Sequence, residues 1–270
     1  MKLKMNKILS SSFRDRSGFL FRKNGKLFRQ INKNYQVNYE HLIGSGLYEK
    51  LINEGYLIPH QELNSSQAIN ELAFKVIKPE LIQFISYPYE WCFSQLKIAA
   101  LTTLYIQKIA LDYGMSLKDS SAYNIQFHRG KPVLIDTLSF EIYREGQPWV
   151  AYRQFCQHFL APLALMSLED IRLGQLLRIY IDGIPLDLVA KLLPMKSRLS
   201  FSLLSHIPLH SKAQNRYSGH RDNKKKSGKV SKLSIRGLID SLETGVKKLK
   251  WDPGGTEWAE YYSDTNYLPR

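Results

Sequence analysis

One stretch limits the possible folds more than any other. It is SQLKIAALTTLYIQKIALDYG, residues 94–114, together with the polar loop and two short apolar runs that follow it. Leu96, Ala99, Ala100, Thr103, Leu104, Gln107 and Leu111 recur at the spacing of one helix face. Gly114 can take the left-handed backbone that closes a helix. The spacing predicts a long helix over 94–113. The next segment, MSLKDSSAYNIQFHRGKPVLIDTLSFE, reads as a polar loop, a strand (Asn124–Phe127), a turn (His128–Lys131) and a strand (Val133–Ile135).

The chain before this helix is strand-rich. Residues 7–31 read as short strands, with Asn24-Gly25 as a two-residue hairpin turn between runs bearing Phe19, Phe21, Leu27 and Phe28. Residues 35–54 carry a helical pattern weakened by Gly44 and Gly46, with Gly55 at its end. Two further strands are expected at 73–78 and 81–87, then a hinge at YPYEW, 87–91. Helices are expected over 150–180 and 184–200. Strands first and helices afterwards predict an α+β fold.

Composition removes several classes. With 270 residues, 44% apolar and 12% aromatic, the chain can bury a large core. The longest apolar run, Phe159–Met166, is far short of the ~20 residues that cross a membrane. The basic N-terminus is followed by too brief an apolar stretch for a secretory signal. Cys92 and Cys156 sit among aromatic residues and read as small buried hydrophobes, which fits a reducing cytoplasm.

The formal net charge is +14, and residues 211–250 alone carry +9 of it. The stretch 210–234 is polar, basic and nearly free of apolar residues, so 206–234 reads as a flexible linker. Binding of nucleic acid through 210–250 is the competing reading. The aromatic interleaving that single strands would use is limited to Tyr217, which favours the tether. Beyond it, Leu233, Leu238, Leu242, Val246 and Leu249 are spaced as a helix, with Asp240 and Glu243 ahead of Lys247, Lys248 and Lys250.

The chemistry is expected around Asp119, Asn124 and Asp136. Asp119 and Asn124 stand in a D-x-x-x-x-N spacing, and the second strand of the following hairpin ends in Asp136. A hairpin would bring Asp136 back beside Asn124, giving an oxygen-only pair suited to magnesium. Asp119, on the loop, would face the same cleft as a proton acceptor, as phosphoryl transfer requires. This order resembles the protein-kinase-like superfamily, especially its aminoglycoside- and choline-kinase branch. The resemblance implies a two-lobed fold: a strand-rich N-lobe (7–91) and a helical C-lobe (92–205). It implies ATP and Mg2+ as cofactors, Asp119 as catalytic base, and Asn124 and Asp136 as metal ligands. It also places Arg29 where the family has its phosphate-contacting lysine, and Glu40 as the ion-pair partner of Arg29. Leu117-Lys118 replaces the usual residues before the aspartate, and SSSFRDRSG at 10–18 stands where a glycine-rich loop would be.

Longer stretches, among them FISYPYEWCFSQLKIAALTTLYIQ, PWVAYRQFCQHFLAPLALM and TEWAEYYSDTNY, resemble bacterial proteins known as class I S-adenosylmethionine-dependent methyltransferases, some of them nodulation-related. The resemblance implies that 235–270 is a helix and the start of a C-terminal methyltransferase domain. No strand, glycine-rich turn and helix suited to S-adenosylmethionine occurs within 1–270, so that cofactor would come only with the further half. The partners implied are that domain or subunit and an unknown small-molecule or glycan acceptor. A non-catalytic accessory module is the alternative.

Overall fold

A computed structural model describes residues 7–9, 15–193 and 230–252. The first lobe is a five-stranded antiparallel sheet in the order β1-β2-β3-β5-β4. Its strands are β1 (Lys7–Ile8), β2 (Gly18–Lys23), β3 (Lys26–Asn32), β4 (His60–Leu63) and β5 (Ala73–Pro79). Asn24 and Gly25 take φ of 52° and 77°, closing the expected β2–β3 hairpin with Lys23 opposite Lys26. The expected helix over 35–54 forms as two pieces, α1 (Gln36–Gly44) and α2 (Leu47–Asn53). Gly46, at φ 84°, makes the break that only a residue without a Cβ adopts freely.

The sheet alternates its side chains between two faces. One carries Ile31 and Ile77, which pack with Tyr35 and Tyr39 from the start of α1 and with Leu138 from the second lobe. The other carries Phe21, Phe28 and Val76 in a small core of its own.

Residues 81–87, expected as a strand, form no ladder with a described strand. They bend at 83–84 and are largely exposed, with Phe84 77% and Leu81 59% accessible, and Ser86 is held by the Gln126 side chain. The edge place goes instead to β4, whose polar HQEL hides the strand signal. A short 3-10 turn at Pro88–Glu90, its Tyr87 N–H held by Glu90, then leads into α3 (Phe93–Asp112).

Every residue of the expected α3 stripe is buried. Around α3 lie β6 (Met115–Leu117), β7 (Ile125–His128), β8 (Lys131–Leu134) and β9 (Phe140–Ile142). β7 and β8 form the expected hairpin, turning at Arg129 and Gly130, both at positive φ. Segment 56–58 also bonds to this hairpin, through Leu134 N–H to Tyr56 O and Ile58 N–H to Leu134 O. Next comes α4 (Tyr152–Phe155), which continues through a π-helical turn at Cys156–Leu160 into α5 (Ala161–Leu168). A 3-10 segment (Ile171–Arg178) and α6 (Leu186–Leu192) follow.

The last described helix, α7 (Lys232–Lys248), packs on α3 through Ile235, Ile239, Leu242 and Val246 and joins the main core. Its buried stripe differs from the expected one at the start. Leu233 is 80% exposed and Ile235 takes the inward place, because packing against α3 sets the helix rotation. Cys156 is fully buried as expected, and burial pushes its thiol up to about 12. Cys92 is exposed, contrary to expectation, because it precedes α3 and its N–H is taken by Gln95. No described helix is long and apolar enough to cross a membrane. Most of the expected linker, 206–229, lies outside the described residues, as do 253–270. The architecture is the two-lobed α+β order that the kinase-like resemblance implies, a strand-rich lobe joined through the hinge to a helical one.

Candidate functional site

Gln107 and Trp149 fix the entry to the site. Gln107 is fully buried in α3; it accepts the Leu117 N–H at 2.7 Å and donates to Ser116 Oγ at 3.0 Å. The Trp149 indole donates to Leu117 O at 2.9 Å. β6 is thereby held against α3, and the loop after it leaves from a fixed point. Gln154 takes the Ser120 N–H at 2.7 Å and pins the loop to α4. Within the loop, Asp119 Oδ1 accepts the Ser121 N–H at 2.9 Å. Asp119 is half-buried and forms no ion pair with a described residue.

The hairpin brings Asn124 and Asp136 together, as the spacing predicts. The Ile135 N–H donates to Asn124 O at 2.8 Å. Their side chains meet through Ser139, a fully buried residue the sequence reading passed over. Asn124 Nδ2 donates to Ser139 Oγ at 3.2 Å, and Ser139 donates to Asp136 Oδ2 at 2.7 Å. The signal was available: Ser139 stands three residues after an aspartate at a strand end, where side chains commonly bond the local turn. Asp136 Oδ1 also accepts the Leu138 N–H at 3.0 Å.

Arg29 reaches this cluster from the centre of the sheet. Its Nη1 lies 2.5 Å from Asp136 Oδ1, and its Nη2 lies 3.3 Å from Asp15 Oδ2. The side chains of Arg29 and Asp136 are only 10% and 16% exposed. Burial at this depth demands paired charges. Arg29 Nε, also buried, has no hydrogen-bond partner among the described residues.

The expected Arg29–Glu40 pair does not form. Glu40 is exposed and accepts from Gln36 on its own helix at 2.9 Å. α1 turns Tyr39 inward, so the next residue, about 100° further round the helix, points to solvent. Asp136 and Asp15 take the place assigned to Glu40.

Other contacts close the seam between the lobes. Lys118 Nζ donates to Ser17 Oγ at 2.8 Å and lies 4.8 Å above the Tyr35 ring. Tyr35 donates to Phe140 O at 2.6 Å, and burial, with Asp136 nearby, holds its hydroxyl well above the usual phenol range. Gly18 has no room for a side chain: an added Cβ would sit 2.1 Å from Gln30 O and 2.8 Å from Leu138 Cδ1.

The donor set is hard and oxygen-based: the Asn124 amide oxygen and the Asp136 carboxylate. Among the described residues no three His, Cys, Asp or Glu cluster as a metal cage. Two ligands of this kind fit a magnesium ion that takes its remaining ligands from water and a substrate's phosphates. Two cavities, of about 450 and about 190 Å3, lie elsewhere. One is on the sheet's outer face; the other lies between the hinge and the 3-10 segment at 171–178.

Fold and site together define a two-lobed α+β domain with a carboxylate–amide pair at the lobe seam. The chain is similar to nodulation protein NoeA of Rhizobium meliloti (strain 1021), with 32% identity over 265 residues, 96% of this chain and 55% of that protein. The chain thus spans about half the length of this relative. Among solved structures, vaccinia related kinase 3 is similar over 94% of both chains, at a TM-score of 0.43 and 11% identity. No protein-family model matches the chain.

Proposed function

We propose that this chain is a kinase-like domain that binds a magnesium–nucleoside triphosphate between its lobes and serves a longer nodulation-related protein. One observation carries the proposal: Arg29 and Asp136 meet at 2.5 Å across the seam, with Asn124 tied to Asp136 through Ser139. In this reading Asn124 and Asp136 hold the cation and Arg29 turns from Asp136 to the phosphates. Asp119 accepts the proton of the acceptor hydroxyl. The metal would supply charge neutralisation on the phosphates. The acceptor is a small molecule or a glycan precursor, and the site of action is the cytoplasm. A methyltransferase half and its S-adenosylmethionine would belong to the remainder of such a longer protein.

A thermal-shift titration with ATP and Mg2+ tests this. A ligand at a hundredfold excess over its Kd stabilises by about 2.7 kcal/mol. The rise in Tm should vanish in Asn124→Ala. Asp119→Asn should keep binding and lose phosphate transfer.

A second reading, the non-catalytic accessory module, has its own support. Both oxygens of Asp136 are already engaged, by Arg29 and Leu138 N–H on one side and by Ser139 on the other. There the Arg29–Asp136 pair is a structural clasp. Absence of any shift with ATP, GTP or their magnesium complexes would overturn the kinase reading and leave the clasp.

A further inference from the structure

The sheet treats its cations differently on its two faces. Towards the second lobe, Arg29 pairs with Asp136 and Asp15, and Lys75 pairs with Glu62 at 2.6 Å. On the outer face, Lys23 and Lys26 face one another across the hairpin, and Lys78 lies two residues from Val76, which stands opposite Gln30 on the face that carries Phe28. Side chains directly opposite in an antiparallel pair share a face. These three lysines therefore rise from one surface, around the cavity of about 450 Å3.

Among the described residues no carboxylate lines that cavity, and none of the three lysines forms an ion pair. Its floor is apolar, with Phe28 only 8% exposed. Its wall offers neutral donors and acceptors from Gln61 and Asn64. The volume falls within the ~300–1,000 Å3 of small-molecule sites.

Three ammonium groups around one hollow repel each other until an anion enters. A single inorganic ion would leave the carboxamides and the phenyl floor unused. A ligand with several negative charges and hydroxyl groups uses all of them. We propose that this hollow binds a small hydroxylated polyanion of the sugar-phosphate class, at a place separate from the lobe seam.

Isothermal titration of the full chain with fructose 1,6-bisphosphate, and with fructose as the uncharged control, tests the proposal. Binding of the bisphosphate should weaken as salt is raised. It should fall by about tenfold or more in the triple variant Lys23→Gln/Lys26→Gln/Lys78→Gln. It should persist in the corresponding triple Lys→Arg variant, which keeps the charges, and in Asn124→Ala. All three lysines are at least partly exposed, so the variants should keep the wild-type circular dichroism and Tm. No heat with the bisphosphate, equal heat with fructose, or unchanged binding in the Gln variant would each overturn the proposal. Loss in Asn124→Ala with retention in the Gln variant would move the ligand to the seam and overturn it as well. Failure here leaves the nucleotide reading untouched, because that reading is tested by ATP and Asn124.

Discussion

Two seams of this molecule differ in where their charges lie. Where the first lobe meets the second, apolar contacts such as Ile31 and Ile77 with Leu138 are joined by buried polar ones: Arg29 with Asp136, Tyr35 with Phe140 O, Lys118 with Ser17, and Asn38 with the Ile142 N–H. Where α7 meets α3, the contact is apolar, through Ile235, Ile239, Leu242 and Val246. Charges appear only at its rim, as Lys108 with Asp240 and Glu243, and Arg236 with Asp112. Apolar burial holds surfaces together without regard to ligand. Paired buried charges are costly to assemble, but their partners can be exchanged for an incoming ion. The contrast marks the lobe seam as the place where a ligand can act and the helix seam as plain support.

The strongest test breaks the polar seam. Asp136→Asn removes the closest counter-charge of Arg29 and should cost about 3–5 kcal/mol in urea unfolding. A loss under about 1 kcal/mol would mean that the pair is not the clasp its burial implies. Next is Ile239→Ala in the apolar seam, which should cost about 3 kcal/mol from lost burial and the cavity left. It should leave ATP affinity unchanged; a change there would blur the distinction between the seams.

Acid comes third. Burial pushes His60 and His158 down to about 4. His60 bonds Tyr39, a member of the seam cluster, at 2.8 Å. The unfolded chain binds protons at the ordinary histidine value of about 6.5, so between about 6.5 and 4 it holds more protons than the folded one. Stability should be level above that window and fall as pH drops through it, by about 3 kcal/mol for each histidine. His158→Phe should flatten the slope of Tm against pH; an unchanged slope would assign the loss to other groups. The smallest effect belongs to the rim of the helix seam. Asp240→Asn should change stability by under about 1 kcal/mol, since its carboxylate is 62% exposed and water screens it.

Local signals made much of this legible. The α3 stripe, the Asn24-Gly25 turn and the β7–β8 hairpin follow from periodicity and turn chemistry that act over a few residues. The meeting of Asn124 and Asp136 follows from the hairpin between them. Where a partner came from far along the chain, the spacing was silent or misleading. The kinase-like resemblance paired Glu40 with Arg29, yet Asp136 and Asp15 reach it. Residues 81–87 have the composition of a strand but form no ladder with a described strand, while the polar β4 has β5. Leu233 is as apolar as Ile235, and only α3 decides which of them turns inward.

The sequence by itself determined α3, the β2–β3 and β7–β8 hairpins and the loop that carries Asp119, because helices, hairpins and caps depend on residues a few positions apart. Only the tertiary structure decided who pairs with Arg29, that Ser139 joins Asn124 to Asp136, and that three lysines surround a hollow lined by no acid among the described residues. Those facts depend on distances between segments far apart in the chain. Such distances are fixed by how apolar faces pack and by where a buried charge can find its opposite.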